Sequence, residues 1–329
     1  MKEYSVNFQK VSAGQLFPEL GESNINIVRL EHVTQNKISP FVPGEDRLFK
    51  FPKSGDSGTT PLEILLAFYR YGKAADGCYV YGPTGCGKSS IVRQFCSRCG
   101  LGLMFRTGHE NMEITELLGG LRIVDGNTVY QEGPLLKAIR HGMWFLLDEI
   151  DSIPPGLLME LNMILDGKNM IHPETKELIV FHQFFRFVAT ANTFGGGNSM
   201  DYQRRRQDKA TLNRFKYKIL AGYPDKETEM AILEEVAPLL SIHKDKMVGL
   251  YADLRKANDE GKFEEGVPFS TRSLVNWADL AVQFQDLGTK NPLEDAFGVT
   301  ILNGIENETD RNTVRSHYKN VFNPEDCPF

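Results

Sequence analysis

The stretch Cys-Tyr-Val-Tyr-Gly-Pro-Thr-Gly-Cys-Gly-Lys-Ser-Ser, residues 78–90, decides the fold of this chain. It contains the phosphate-loop pattern G-x-x-x-x-G-K-[ST], with Lys88 and Ser89 at the two side-chain positions. An apolar, β-prone run at 78–81 precedes the loop, and residues 88–98 follow it with apolar side chains three to four apart, which is typical of a helix. Glycines in such a loop let the backbone turn sharply and direct its N–H groups at phosphate oxygens, and the start of the next helix adds positive potential. The stretch therefore predicts a nucleotide phosphate site between a strand and a helix.

The loop also predicts which residues hold the nucleotide. We expect Lys88 to reach the β- and γ-phosphates and the hydroxyl of Ser89 to ligate Mg²⁺. The predicted nucleotide-binding residues are Gly82, Pro83, Thr84, Gly85, Cys86, Gly87, Lys88, Ser89 and Ser90.

A second motif is acidic and follows the uninterrupted apolar run at 143–147. Such a run is typical of a buried, central strand in a parallel sheet. Asp148 ends it, and a carboxylate in that position beside a phosphate loop can hold Mg²⁺, so we predict that Asp148 and Ser89 are the metal ligands. Glu149 is the next residue, and we predict that it orients and deprotonates the attacking water.

Three further polar residues complete the predicted catalytic set. Asn192 follows a predicted buried strand at 185–190, where an amide can contact the γ-phosphate and help to place the water. Arg214 is a candidate to stabilise the charge on a transferring phosphoryl group, and if it comes from a neighbouring subunit, hydrolysis is tied to assembly. Arg272, at the start of a predicted lid helix, is a candidate to contact the γ-phosphate and report the nucleotide state. The alternatives are a turn asparagine, an arginine in a structural salt bridge and a surface arginine at a helix start.

The distribution of helices and strands predicts the domain organisation. Between 57 and 222, strands alternate with helices, which predicts an α/β P-loop NTPase domain with a parallel sheet and helices on both faces. Residues 223–290 have helical periodicity and predict a small lid domain. We interpret residues 1–56 as an N-terminal extension and linker, and residues 291–329, which are polar and weakly patterned, as a C-terminal tail.

Composition excludes several classes of protein. Apolar residues make up 41% and charged residues 24%, as in ordinary soluble proteins, and the net charge of −6 gives no reason to expect nucleic acid or an anionic membrane as partner. No apolar run approaches the length of a membrane span, and the first residues lack an apolar signal core. The five cysteines, an odd number, favour reduced thiols, and we therefore expect a cytoplasmic protein.

Some features allow more than one interpretation. Predicted hairpins at 121–130 and around 172–175 are either loops that grip a partner in a central pore or ordinary surface hairpins. The basic cluster at 204–206 is a solvated loop, a nucleic-acid contact or a subunit contact. Cys96 and Cys99 have no second pair of ligands nearby, so we interpret them as packing thiols rather than a zinc site.

The order of these motifs resembles that of the AAA+ ATPases. The chain is most similar to their MoxR/dynein-related branch and, within it, to CobS, the ATPase subunit of the aerobic cobalt chelatase. The similarity to CobS extends over most of the chain. It is carried by short patches, namely Lys10-Val11-Ser12, Phe41-Val42-Pro43, Leu118-Gly119-Gly120, Glu132-Gly133-Pro134, Ala189-Thr190-Ala191-Asn192-Thr193, the glycine-rich loop with Tyr202, and Thr271-Arg272 with Trp277. The chain departs from CobS at Pro-Thr-Gly-Cys within the phosphate loop and at Asn213-Arg214-Phe215.

The resemblance implies a ring, usually a hexamer, with ATP bound between subunits. It also implies a partner that carries a von Willebrand factor A domain, as CobT does, and in the chelatase the ring drives metal insertion by a separate large subunit. The choice of ATP over GTP rests on this resemblance alone.

The function that we expect is therefore that of a Mg²⁺-dependent ATP-hydrolysing ring motor that remodels or activates a protein partner, with a metal chelatase complex as one candidate. One alternative is a nucleic-acid-stimulated or restriction-type AAA+ NTPase, which only the basic cluster at 204–206 supports and the acidic balance opposes. Another is a scaffold that binds nucleotide to assemble and barely hydrolyses it, against which Glu149 and Arg214 argue.

Overall fold

The structure is a computed structural model. It describes residues 6–23, 25–32, 38–46, 49–52, 58–74, 76–167, 169–172, 174–194, 209–264, 267 and 269–322. The strands are β1 (Val6–Ser12), β2 (Asn26–His32), β3 (Gly77–Tyr81), β4 (Leu103–Thr107), β5 (Gly119–Val124), β6 (Asn127–Glu132), β7 (Trp144–Asp148), β8 (Met170–Ile171), β9 (Leu178–Ile179), β10 (Arg186–Ala191) and β11 (Phe215–Leu220). The α-helices are α1 (Ala13–Leu16), α2 (Pro61–Tyr71), α3 (Lys88–Cys99), α4 (Ile114–Leu118), α5 (Pro134–His141), α6 (Pro155–Leu165), α7 (Lys209–Arg214), α8 (Lys226–Val236), α9 (Lys244–Asp259), α10 (Thr271–Asp286), α11 (Pro292–Thr300) and α12 (Glu308–Val321).

A five-stranded parallel sheet organises the first part of the chain, with the strand order β11-β3-β10-β7-β4. The middle strands are buried along almost their whole length, because helices cover both faces of the sheet. Helices α2 and α3 pack on one face around Phe68 and Phe95, and α5 and α6 pack on the other around Leu136 and Leu161. The predicted α/β class is therefore confirmed.

All five strands point the same way, so their carboxyl ends form one edge of the sheet. The phosphate loop follows the end of β3, Asp148 ends β7, and Asn192 follows β10. The topology therefore gathers the sequence motifs at the edge where open α/β sheets bind ligands.

The described part of residues 1–56 is more than an extended linker. Strands β1 and β2 form an antiparallel hairpin, and the segment that connects the two strands packs against α3. The ring of Phe17 stacks on Phe95 at 5.4 Å between centroids, and Arg98 pairs with Glu19 at 3.1 Å with both side chains largely buried. The N-terminal segment thus stabilises the helix that begins at the phosphate loop.

Helices α8 to α12 form a second, all-helical core around Trp277, as the periodicity after residue 223 predicts. The interpretation of 291–329 as a weakly patterned tail is wrong, because α11 and α12 belong to this core. The indole of Trp277 lies 4.9 Å from the ring of Phe297 and 6.1 Å from that of Tyr318, and its Nε1 donates to the carbonyl of Leu293 at 2.9 Å. The exact domain limits stay a prediction.

Both predicted hairpins are present. Strands β5 and β6 pair around Asp125 and Gly126, which both have positive φ, as a two-residue hairpin turn requires. Strands β8 and β9 form the shorter second hairpin. Within the described residues, no helix is long and apolar enough to cross a membrane.

Candidate active site

The phosphate loop bends because three of its glycines have positive φ, namely Gly82 (153°), Gly85 (73°) and Gly87 (90°). At Gly82, a Cβ would lie 1.9 Å from the carbonyl oxygen of Ala221, so no larger residue fits there. Helix α3 begins directly after the loop, and its first N–H groups have no partner within the helix. The local sequence therefore builds an anion site at the start of a helix of 12 residues.

Lys88 is buried, and its ammonium group has three acceptors. Its Nζ donates to the carbonyls of Gly82 at 2.9 Å and Pro83 at 2.8 Å, and to Oδ1 of Asn192 at 2.9 Å. Burial lowers the pKa of Lys88, and the acids beside it, Asp148 among them, act in the opposite direction. The side chain is thus held directly beneath the place where phosphates would sit.

The two predicted metal ligands touch each other. The hydroxyl of Ser89 donates to Oδ2 of Asp148 at 2.7 Å. The other carboxylate oxygen of Asp148 accepts from the hydroxyl of Thr190, and that hydroxyl accepts from the backbone N–H of Glu149 at 3.1 Å. Glu149 has a left-handed backbone with φ of 56°, uncommon for a residue with a side chain, and it turns the chain away from β7. These bonds therefore hold the carboxylate of Asp148 and the backbone of Glu149 in place.

A cavity of about 130 Å³ brings the predicted residues together. Asn192 enters it from the end of β10, where its backbone N–H donates to Oδ2 of the buried Asp151 at 3.1 Å. Arg272, the second residue of α10, reaches it from the helical part of the chain. The cavity is lined by Thr84, Gly85, Gly87, Lys88, Ser89, Ser90, Asp148, Glu149, Thr190, Ala191, Asn192 and Arg272.

The donors around this cavity fit Mg²⁺ shared with phosphate. Mg²⁺ prefers oxygen ligands and is usually bound by one or two protein side chains together with substrate phosphates and water. In the described part of the chain, no three His, Cys, Asp or Glu side chains converge on one point, so a metal cage built from such side chains alone is absent there. The hydroxyl of Ser89 and the carboxylate of Asp148 are the residues that would hold the ion.

Arg214 is the one predicted catalytic residue that lies elsewhere. It directly precedes β11, whose first residue, Phe215, pairs with Gly77, the first residue of β3. Arg214 therefore lies at the edge where the strands begin, and the length of five strand residues, about 15 Å, separates it from the phosphate loop. Its Nε donates to Oδ1 of Asp166 at 2.8 Å, so the salt bridge considered as the alternative is formed within the chain.

Several residues at the site escaped the sequence analysis. The sequence places Thr190 at the end of a predicted buried strand without indicating a role for its hydroxyl, and in the structure it lies one residue before the end of β10. Tyr223 donates from its hydroxyl to the carbonyl of Thr84 at 3.0 Å, and Arg255 lies over its ring, but nothing in the sequence relates residues so far apart. The basic cluster at 204–206 lies outside the described residues.

Two family models match the chain, one on each part. Residues 77–215 match the AAA domain (dynein-related subfamily), and residues 229–316 match the CbbQ/NirQ/NorQ C-terminal domain. Together they take up about two thirds of the chain.

Curated relatives agree with these models. The chain is 32% identical to midasin of Dictyostelium discoideum over 60% of its own length, but it spans only 3% of midasin. It is 29% identical to Protein NorQ of Paracoccus denitrificans, over 60% of this chain and 71% of NorQ. It is 27% identical to Protein CbbQ of Hydrogenophilus thermoluteolus, over 59% of this chain and 70% of CbbQ.

A solved structure supports the fold. NtrX from Brucella abortus in complex with ADP superposes with a TM-score of 0.51 at 11% identity, over 83% of this chain and 61% of NtrX. At this identity the likeness concerns the fold alone. The dynein-related domain model covers the parallel sheet and the phosphate loop, and the CbbQ/NirQ/NorQ model covers the helices that carry Arg272. The chain therefore belongs to the AAA+ ATPases, in their MoxR/dynein-related branch.

Proposed function

We propose that this chain hydrolyses ATP with Mg²⁺ as a subunit of a ring, and that the ring remodels or activates a protein partner. The observation that carries the proposal is that side chains from β7, the end of β10 and the start of α10 line the same cavity as the phosphate loop. Residues for phosphate binding, water activation and charge stabilisation therefore line one cavity.

Binding is assigned to the loop. The backbone N–H groups at the start of α3 and the ammonium of Lys88 bind the β- and γ-phosphates. Ser89 and Asp148 would hold Mg²⁺, and the bound ion would neutralise part of the negative charge on the phosphates. Lys88 exchanges some of its carbonyl contacts for phosphate oxygens as the substrate enters.

Water activation is assigned to Glu149. Its carboxylate takes the proton of the attacking water, and its backbone is held in place by the hydroxyl of Thr190. Asn192 accepts from Lys88 through Oδ1, so its Nδ2 is the atom that donates to a phosphate oxygen or to the water. Arg272 stabilises the charge that spreads over the transferring phosphoryl group.

The ring is supported by the position of Arg214. A side chain at the opposite edge of the sheet cannot serve its own phosphate site, but an exposed edge can face the site of a neighbour. The Arg214 side chain is about one-third exposed (32%) and would exchange Asp166 for a phosphate at the subunit interface. We propose six subunits, as the resemblance implies, with each site completed by its neighbour.

The partner surface is assigned to the two hairpins. They expose apolar side chains, with Ile123 at 81% and Ile171 at 64% exposure. They are joined by a bond from the backbone N–H of Leu121 to Glu174 at 3.0 Å. We propose that this surface contacts a partner with a von Willebrand factor A domain, as CobT has, and a metal chelatase complex stays one candidate setting.

The hairpins also share a buried histidine. His172 accepts at Nδ1 from the backbone N–H groups of Glu174 and Thr175, so its Nε2 carries the proton and donates to the hydroxyl of Tyr130 at 2.7 Å. That hydroxyl donates in turn to the carbonyl of Leu118 at 2.6 Å. Burial lowers the pKa of His172, so the neutral ring is the form that joins the hairpins.

The compartment is part of the proposal as well. The four cysteines that the structure describes are free, buried thiols, which supports the expected cytoplasmic location.

Hydrolysis is tested with Glu149→Gln. We expect this variant to bind ATP with unchanged affinity and to lose turnover by at least about 100-fold, because a general base contributes roughly that much. Glu160→Gln, an exposed glutamate on α6, is the matched control and keeps full activity. Turnover like that of the wild type in Glu149→Gln would contradict the assignment, and ATP binding without turnover in the wild type would favour the scaffold.

The shared site is tested with Arg214→Ala. We expect specific activity to rise with protein concentration as the ring assembles, and we expect Arg214→Ala to assemble and lose turnover. Arg315→Ala, an exposed arginine on α12, is the control. Activity that is independent of concentration and of Arg214 would refute the ring.

A further inference from the structure

Arg255 on α9 is the most completely bonded arginine in the helical part of the chain that the structure describes. Its two terminal nitrogens donate to the two carboxylate oxygens of Glu229 at 2.9 and 2.8 Å, and its Nε donates to the carbonyl of Phe269 at 2.7 Å. The Glu229 side chain is 2% exposed and that of Arg255 is 14% exposed. Because the guanidinium is planar and each of its three nitrogens donates a hydrogen bond, it holds the groups around it in one arrangement.

These bonds fix the start of α10. Oε1 of Glu229 also accepts from the hydroxyl of Thr271 at 2.7 Å, and Ser270 caps the helix by accepting from the backbone N–H of Ser273 at 3.1 Å. The residues from Phe269 to Thr271 are thus tied to α8 and α9 directly before Arg272, the lid residue of the phosphate cavity. The pair of Arg255 and Glu229 therefore holds the residues that directly precede Arg272.

The same arginine contacts the phosphate loop through one aromatic residue. The guanidinium carbon of Arg255 lies 4.1 Å from the ring centroid of Tyr223, within the range of a cation–π interaction. The hydroxyl of Tyr223 donates to the carbonyl of Thr84 in the loop at 3.0 Å. Next to Thr84, Gly85 meets the lid directly, since a Cβ there would lie 2.3 Å from the Cβ of Ser270.

A cavity of about 510 Å³ adjoins this chain of contacts and is lined in part by Thr84, Asn192, Tyr223, Arg255 and Phe269. The loop and the lid therefore meet at a few contacts beside open space and not across a continuous packed core. A contact of this kind can change when the loop changes, whereas a packed core resists such change.

We infer that Tyr223 and Arg255 are positioning residues that couple the state of the phosphate loop to Arg272. Bound phosphates fix the backbone of the loop, the carbonyl of Thr84 fixes Tyr223, and the ring of Tyr223 holds the Arg255–Glu229 pair in the arrangement that points Arg272 into the site. The inference rests on the proposed ATPase function and adds the path by which the lid responds to the nucleotide.

Hydrogen exchange of the backbone amides at 269–274 tests the coupling without turnover. We expect Mg²⁺ with a non-hydrolysable ATP analogue to slow exchange there in the wild type. In Tyr223→Phe, which keeps the ring and loses the hydroxyl, we expect this gain in protection to fall by about 3- to 10-fold, the effect of one net hydrogen bond. Tyr69→Phe is the matched control, because it removes a hydroxyl bond to the carbonyl of Val28 and leaves the lid untouched.

Kinetics test the dependence on Arg272. We expect Arg255→Lys, which keeps the charge and loses the planar fork, to lower kcat by about tenfold with KM changed less than about twofold. In an Arg272→Ala background, Arg255→Lys should have little further effect, because both changes remove the same contact. Arg140→Lys, which also loses a fork between two glutamates, is the control and keeps activity.

The outcomes separate the two proposals. Equal protection of 269–274 by the analogue in the wild type and in Tyr223→Phe overturns the coupling even if the chain hydrolyses ATP, and so does an equal loss of kcat from Arg255→Lys in both backgrounds. If the wild type binds the analogue but does not turn ATP over, the ATPase proposal fails, and the exchange experiment alone still decides the coupling. If Arg255→Lys does not fold, Tyr223→Phe decides it.

Discussion

Replacement of Thr190 by valine should impair catalysis without removing the nucleotide site. Thr190 is fully buried, and valine differs from threonine only by a methyl group in place of the hydroxyl, so the substitution tests the hydroxyl and not the side-chain volume. The change removes only the hydroxyl, which donates to Asp148 and accepts from the backbone N–H of Glu149. A single atom thus supports the metal ligand and the proposed general base.

The size of the effect follows from these two bonds. A hydrogen bond to a charged group contributes about 1.5–3 kcal/mol, and the N–H of Glu149 would lose its acceptor at a cost of about 1–3 kcal/mol. If only the loss of the bond to Asp148 raises the activation free energy, kcat falls by about 10- to 100-fold, since each 1.4 kcal/mol is a factor of about ten. The stability of the domain should fall by a few kcal/mol at most, because the sheet and its core are unchanged.

The assay is steady-state ATP hydrolysis as a function of Mg²⁺ concentration, with nucleotide binding measured in parallel. We expect Thr190→Val to bind ATP within about threefold of the wild type and to lose kcat as above, and we expect Thr190→Ser to recover most of it because serine keeps the hydroxyl. Wild-type kcat in Thr190→Val, or an equal loss in Thr190→Ser, would refute the role of the hydroxyl.

Three further changes test other parts of the structure. Gly85→Ala places a Cβ 2.3 Å from the Cβ of Ser270, at a residue whose φ is 73°. We therefore expect the KM for ATP to rise more than about tenfold while the circular dichroism spectrum stays that of the wild type. An unchanged KM would contradict the close approach of loop and lid. The depressed pKa of His172 means that the unfolded hairpins bind more protons, so their stability is fully present above about pH 6.5 and is lost as the pH falls. The protection of the amides at 170–172 and 174–179 against hydrogen exchange, taken relative to the intrinsic exchange rate at each pH, should therefore fall in acid in the wild type and stay constant in His172→Asn, whose amide can still accept from the turn. Phe297→Ala should lower the free energy of unfolding of the helical part by about 3–5 kcal/mol, seen as a drop in Tm, whereas a frayed tail would tolerate it.

The phosphate site could be predicted from the sequence because its determinants are local. Glycine at 82, 85 and 87 permits the positive φ angles that the loop needs, and a helix that starts at Lys88 fixes where its N–H groups point. The apolar run that ends at Asp148 indicates a central strand, and parallel strands end at one edge. Local pattern and one topological rule were therefore enough to bring these residues together.

The helices after residue 290 were missed for a physical reason. Helix α12 buries only Asp310, Val314 and Tyr318, which are four residues apart along a narrow stripe, and apart from Val321 the rest of the helix is polar. Asp310 obscures the apolar pattern further, because this buried residue is an acid. Its carboxylate accepts from the backbone N–H of Glu264 at 3.0 Å. A stripe of this width is visible only when the partner, here the core around Trp277, is known.

The contact of Tyr223 with Arg255 could not be predicted either, since it depends on how two cores meet. Each residue taken alone is unremarkable in the sequence, and only the fold places the arginine over the ring and the hydroxyl against Thr84. Arg214 presents the reverse case, because its residue type and sequence context suggested a catalytic role while the register of β11 places it far from its own phosphates.

The contact of Tyr223 with Arg255 and the position of Arg214 show that two kinds of interaction determine where the residues of the site lie. Residues that bind phosphate and activate water, such as Lys88 and Glu149, lie on the segments that make the sheet edge, so the backbone of one domain fixes them. Residues that respond to the nucleotide, such as Arg272 on α10, depend on contacts between two cores, and Arg214 depends on a contact between two subunits in our proposal. Changes at the sheet edge should therefore act on the chemistry directly, whereas changes at Tyr223, Arg255 or Arg214 should leave nucleotide binding and assembly intact and lower turnover through the lid or the neighbouring subunit.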